Sequence, residues 1–337
     1  MEKNRIRGFT LVEMVVGLAV SLVVVGGAVT LLRQSVTVNE QITQRAEMQQ
    51  NARVALNQMA RDLSIAGTGT PVGGIQLPDG GVSSASKFAC DSLGCYLADN
   101  TYGDQRLYAV TPGDGRGPTA QGIATDVVTL MYRDLTLPLD DYALLSVAAD
   151  QIQVNPATTP PITDPAVGIR NGDVLALCNV NGCAAGAVTS STSDRIYFSD
   201  GDPLNLNQTS AGFGNISSLA NPDGTYPQTT AFRINVLTYY VDAMTSRMMR
   251  QLSAHAPAPV AENIVDLQLT YDIYDDGAAV GTAELPNAGG TPNQVRKINI
   301  SVGARSPARS LLQTDYERIN LTTSVSARNL AFRDRYN

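Results

Sequence analysis

The chain has 337 residues with 24 Lys+Arg, 31 Asp+Glu, one His and four Cys, for a formal net charge of −7. An acidic chain with no basic stripe argues against direct nucleic-acid binding, which needs clustered cations to displace counterions. One imidazole excludes sites built on two histidines, and His255 lies in the loop-like Ala-His-Ala-Pro-Ala-Pro, so composition leans away from an enzyme and toward no cofactor.

The first element is an apolar run. Phe9 to Leu32 is 24 residues long with one charge, Glu13. As a helix it would span ~36 Å, enough for a bilayer core of ~30 Å. Residues 1–8 carry Lys3, Arg5 and Arg7 against Glu2. Cations before an apolar run hold that end in the cytoplasm, so the remainder is expected to be exported. An ordinary secretory signal, cut near Ala28, would need a shorter apolar core. A plain anchor leaves Glu13 unexplained, because a carboxylate at membrane depth costs ~2.5–3.5 kcal/mol or more.

Arg7-Gly8-Phe9-Thr10-Leu11-Val12-Glu13 resembles the class III leader of type IV prepilins and pseudopilins. The resemblance implies cleavage between Gly8 and Phe9 by a prepilin peptidase, N-methylation of Phe9 and retention of the apolar helix. Glu13 becomes the fifth mature residue. A carboxylate in apolar surroundings persists only if paired. In a filament its partner would be the Phe9 ammonium of a neighbouring subunit, a pairing that penalises axial misregister. The alternative is a Glu that snorkels to the membrane surface. Removing a leader of net charge +2 takes the chain from −7 to −9.

Beyond Leu32 the pattern turns amphipathic without a break. Val38, Ile42, Ala46, Gln49, Ala52, Leu56, Met59 and Leu63 recur at steps of three and four, the spacing of one helical face. Arg33, Glu40, Arg45, Glu47, Arg53, Arg61 and Asp62 occupy other positions. Pro is absent before Pro71, and Gly67 and Gly69 supply a stop. The expected helix, ~87 Å long, has a membrane or filament-core part (9–35) and an amphipathic continuation (36–66) that packs on a head. Gly17, Gly26 and Gly27 either soften it, allow close helix packing, or are ordinary membrane-helix glycines.

Residues 67–337 read as strands and long loops. Val265, Leu267, Leu269, Tyr271 and Ile273 alternate with polar residues, the mark of a half-buried strand. Further strands are expected at 126–133, 173–178, 195–199, 232–241, 247–252, 295–304 and 319–327, with a hairpin across Asp242–Ser246. The loops 67–87, 111–122, 155–172, 200–230 and 277–294 are rich in Gly, Pro, Asn and Ser. The expected fold class is α+β, a long N-terminal helix packed on an antiparallel β-rich globular head.

Asn51-Ala52-Arg53, Arg61-Asp62-Leu63, Gly172 to Cys178, Tyr239-Tyr240-Val241, Ile264 to Tyr271 and Ser326 to Leu330 together look like the PilW family of minor pilins, a diffuse resemblance over most of the chain. The J-type minor pseudopilin of type II secretion has a similar plan but is usually shorter. A pilin-like fold is implied by both.

The cysteines form two matching pairs, Cys90 with Cys95 and Cys178 with Cys183, each with a Gly before the second Cys. An exported head permits disulfides. Local pairing is expected. Cross-pairing and a four-Cys metal site are the alternatives. Asp272 to Gly277 departs from a calcium loop, with Tyr274 at position three and Ala283 at position twelve, and reads as a solvated turn. Asp200-Gly-Asp202 and Asp140-Asp141 are weaker still. No metal is expected.

The PilW resemblance implies a non-enzymatic minor pilin that waits in the inner membrane with its head in the periplasm. It would then join other minor pilins and the major pilin at an inner-membrane assembly platform. Such a complex primes type IV pilus assembly and sits at the pilus tip on the cell surface, where it can present a large adhesin. Attachment and motility would depend on it indirectly. One alternative is a minor pseudopilin of a type II secretion system. The other is an exported ligand-binding module anchored by a pilin stem.

Overall fold

The computed structural model describes residues 9–78, 85–90, 94–97, 106–120, 122–136, 139–157, 159–165, 168–275, 278–283, 294–309 and 315–330. One helix, α1 (Leu11–Ile65), runs unbroken for 55 residues. Its most apolar stretch, of mean hydropathy 2.5, has none of its residues buried and is long enough to cross a membrane. Hydroxyls in this stretch bond back to the preceding turn, Ser21 Oγ to the Gly17 carbonyl at 2.8 Å and Thr30 Oγ1 to that of Gly26 at 2.9 Å. They are therefore satisfied within the helix, as an apolar solvent requires. The helix ends where expected. Gly67, at φ +81°, donates its N–H to the Met131 carbonyl at 2.8 Å. A Cβ there would come within 3.1 Å of Ala109 and 3.3 Å of Leu330, so glycine makes this turn without the strain another residue would bring.

The head follows as short strands and then long ones. The first half holds β1 (Ile75–Gln76), β2 (Lys87–Cys90), β3 (Cys95–Leu97), β4 (Arg106–Leu107), β5 (Val110–Gly113), β6 (Thr119–Ala120), β7 (Ile123–Ala124), β8 (Val127–Arg133), β9 (Leu144–Val147) and β10 (Gln151–Val154). The second half holds β11 (Val174–Asn179), β12 (Gly182–Ala187), β13 (Ser190–Ser191), β14 (Arg195–Tyr197), β15 (Thr230–Asp242), β16 (Arg247–Leu252), β17 (Ala258–Glu262), β18 (Ile264–Asp275), β19 (Ala278–Ala283), β20 (Val295–Arg309) and β21 (Tyr316–Ser326). The architecture is α+β and pilin-like: one long N-terminal helix, then antiparallel sheets. The exception is β1 against β12, which pair in parallel at Gln76 and Ala184.

β15 is the hub of the largest sheet. Its first half pairs with β11, its second half with β16 across the expected Asp242–Ser246 turn, and its other edge with β8. A four-stranded sheet in the order β19-β18-β20-β21 and the strands around β15 clasp the end of the stem. One core joins Met48, Ala52, Met59 and Leu63 of α1 to Leu237 and Tyr239 of β15 and to Ile298, Ile300 and Val302 of β20.

The stem face differs from the sequence reading in its lower half. Ala52, Leu56, Met59 and Leu63 are buried, but Val38 and Ile42 are 53% and 60% exposed, and Ala46 and Gln49 are exposed as well. The core side of the helix starts at Met48 and continues through Ala55 and Asp62. Among the described residues the head reaches lower only at the end of the β20–β21 hairpin, where Arg45 Nε meets Glu317 Oε1 at 2.5 Å.

Candidate functional site

Thr10 is the N-cap of α1 in extended conformation, and Glu13 is the third helical residue. Glu13 N–H donates to Thr10 Oγ1 at 3.3 Å, while Thr10 N–H and Oγ1 each donate to Glu13 Oε2 at 2.9 Å. This is a reciprocal capping box, the arrangement that Ser/Thr-x-x-Glu encodes at a helix start. The motif Thr10-Leu-Val-Glu13 was readable in the sequence, yet the reading of Glu13 considered only membrane depth and filament pairing. The structure therefore gives Glu13 a local role within a single subunit. Phe9 is 88% exposed beside it. Gly8, the other residue of the expected cleavage site, lies outside the described residues.

The second feature is the joint between stem and head. Asp62, placed by helical spacing among outward residues, is 5% exposed. Its Oδ2 accepts from Arg250 Nε at 2.8 Å, from Gln58 Nε2 at 3.3 Å and from the Tyr239 hydroxyl. Burial, together with the hydrogen bond and charge of Asp62, pushes the Tyr239 phenol far above its ordinary range. For Arg250, burial pulls the other way, but the hydrogen bond and charge of Asp62 win and hold the guanidinium more firmly protonated. Helical periodicity could not find this site, because the partner strands β15 and β16 are some 180 residues away in sequence.

The head contains a second polar network. Asp173 Oδ1 lies 2.9 Å from His255 Nε2, and Arg233 spans Asp134 at 2.6 Å and Asp173 at 3.1 Å. His255 was read as a plain loop residue. It does lie in a loop, and it fixes that loop to Asp173, the residue before β11. Chemically this is a set of ion pairs in which both carboxylates are already engaged by Arg233.

The acidic stretches are similarly engaged. Asp202 accepts backbone N–H groups from Leu204 at 3.0 Å and Asn207 at 2.7 Å, and Asp140 pairs with Arg133 at 2.5 Å. Asp272 accepts from Asn299 at 3.0 Å and meets Lys297 at 3.4 Å, while Asp276 and Gly277 lie outside the described residues. Among the described residues no group of three or more His, Cys, Asp or Glu could hold a metal.

Cys90 is bonded to Cys95 and Cys178 to Cys183. Each disulfide joins residues directly opposite in a hairpin, β2–β3 and β11–β12. All four sulfurs are thus used in pairs, and none is left as a thiolate for the four-Cys metal alternative.

Residues 3–29 match the family described as the prokaryotic N-terminal methylation motif. No curated protein and no solved structure matches the chain. The match covers the leader and most of the apolar run and does not extend to the head. The motif implies processing by a prepilin peptidase, and the apolar helix behind it fits anchoring in the inner membrane before assembly. A prepilin-type leader on a long bare helix that carries a β-rich head marks a type IV pilin-like or pseudopilin protein.

Proposed function

We propose that the protein is a minor pilin of the PilW kind, which helps prime type IV pilus assembly and stays in a tip complex. The observation that carries this reading is the division of labour along α1. The methylation motif covers residues 3–29, and the head buries the helix only from Met48 onward. Among the described residues, 11–35 therefore present an apolar surface that the head does not cover, and 36–47 meet only the end of the β20–β21 hairpin. Exposed apolar surface of this extent is stable only in a membrane or against other helices. The partners are other minor pilins, the major pilin and the inner-membrane assembly platform, with a large adhesin as cargo at the tip. Cleavage falls between Gly8 and Phe9, and Glu13 then pairs with a neighbouring Phe9 ammonium.

The test is the intact mass of the protein from sheared surface filaments. The expected mass lacks residues 1–8, carries one added methyl group and is short of two hydrogens for each disulfide. A processed form that stays in the envelope and is absent from sheared pili would favour a type II secretion pseudopilus. Cleavage near Ala28 would sink the pilin reading altogether.

A further inference from the structure

The end of the β20–β21 hairpin gathers arginines, two of them without an ion pair among the described residues. The guanidinium carbons of Arg305 and Arg309 lie 4.5 and 5.6 Å from the centroid of the Tyr316 ring. Arg305 Nε is buried without a hydrogen-bond partner, and no carboxylate among the described residues forms an ion pair with either side chain. Arg305 also sits directly opposite Arg318 across the hairpin, a like-charge pairing that costs stability. Arg318 has a long contact, 3.7 Å, to Asp315. An acidic chain thus gathers three arginines on one hairpin end, at some cost.

That place is the lower end of the head. The C-terminal end of β21 leads to Asn329, which bonds the Ala66 carbonyl at the top of the stem, whereas Glu317 at its start meets Arg45. The hairpin therefore points down the helix toward the apolar run. Ala308 and Arg309 form one wall of an open groove of ≈ 550 Å³, with Val36, Thr43 and Glu47 of α1 as the other. Val36 is ~6 Å and Thr43 ~17 Å along the helix beyond Leu32, where the apolar run ends. Bilayer headgroups reach ~5–8 Å past the hydrocarbon, and the Debye length adds ~8 Å. Glu40 and Glu47 face the same groove, and Glu317 is taken up by Arg45. With Arg33 at the membrane boundary, Arg33, Arg45, Arg305, Arg309 and Arg318 are five cations against the four carboxylates of Glu40, Glu47, Asp315 and Glu317, an excess of one.

We propose that this hairpin end, through Arg305, Arg309 and Tyr316, holds anionic phospholipid headgroups of the outer face of the inner membrane while the stem is inserted. Aromatic and arginine side chains together suit that interface, one by its amphipathic ring and the other by its planar donors. The contact orients the head on the membrane and is given up when the subunit leaves for a filament. The inference rests on the stem being membrane-inserted before assembly.

The experiment uses the full chain in nanodiscs of phosphatidylglycerol or phosphatidylcholine. The sequence has no Trp, so Tyr316→Trp provides a single reporter, and Ala308→Trp is a second in case the ring swap disturbs the fold. Co-elution with the disc reports stem insertion separately. Expected is quenching by headgroup-labelled lipid about twofold stronger in the anionic discs, lost in 0.5 M salt and in Arg305→Gln/Arg309→Gln, and restored by Lys at both positions. Equal, weak quenching in both discs with normal co-elution would overturn the hairpin contact alone. Failure to co-elute would overturn the membrane anchoring and this contact with it.

Discussion

Asp62 on the stem and Arg250 on β16 meet at 2.8 Å inside the head, and with Tyr239 they form a buried polar joint between the helix and the main sheet. Taking two charges out of water is costly, and pairing recovers the cost only while both partners remain. Asp62→Ala is expected to destabilise the head by ~3–5 kcal/mol, because it strands the Arg250 guanidinium. Tyr239→Phe, which removes only one hydrogen bond, is expected to cost ~1–3 kcal/mol. Urea unfolding followed by tyrosine fluorescence checks both. A cost under 1 kcal/mol for Asp62→Ala would show that the joint is solvated.

Glu13 can act in two ways, and one substitution separates them. Gln at the third helical position keeps a capping box, whereas Ala abolishes it. If the charge pairs with a neighbouring Phe9 ammonium, Glu13→Gln and Glu13→Ala will both be cleaved and inserted normally but assemble poorly. If capping is all that Glu13 does, Glu13→Gln will behave as the parent. Counting filaments at native expression, alongside a blot for the processed form, decides between them.

Asp126 gives the head a pH signature. Burial pushes its carboxyl up to about 6 against the pull of N–H bonds from Gly115 and Leu269, and the nearby Asp114 and Asp266 add repulsion. The folded protein then binds a proton that the unfolded chain, with its ordinary carboxylate near 4, has released. The contribution of this group is full below pH ~4 and is lost as pH rises through 6, a swing of ~3 kcal/mol. Asp126→Asn should remove that component. The stability of the variant relative to the parent is expected to fall as pH is lowered from 7 to 4. Parallel stability–pH curves for the two would refute the assignment.

The disulfides close short loops within hairpins that are already paired, so their entropic effect is small. Replacing Cys178 and Cys183 by Ser is expected to cost ~2 kcal/mol and to leave the head folded. Thiol titration of the unfolded, unreduced parent should find no free thiol. Detecting thiols there would contradict the pairing.

The extent to which sequence was enough differs between the two ends of the chain. The stem was legible because a continuous helix is a local structure: apolar residues 9–32, the lack of Pro before Pro71 and the glycines at 67 and 69 set its course and its end. The longer strands were legible for the same reason, since β8, β11, β15, β16 and β18 carry apolar alternation or β-branched runs. β12, Gly-Cys-Ala-Ala-Gly-Ala, carries no such signal and became a strand because β11 lies beside it.

What the helix face touches was decided elsewhere. Val38 and Ile42 have the right spacing but no head beneath them, and Asp62 has the wrong chemistry for a core yet is buried, because Tyr239 and Arg250 arrive from distant strands. The leader, the apolar run and the cysteine spacing thus determined from sequence what kind of protein this is. Only the tertiary structure decided how far the head covers its stem, which charges are buried at the joint and which arginines gather at the end of the β20–β21 hairpin. Periodicity records the angle of a side chain about its own helix, and burial depends on what the rest of the chain brings to that angle.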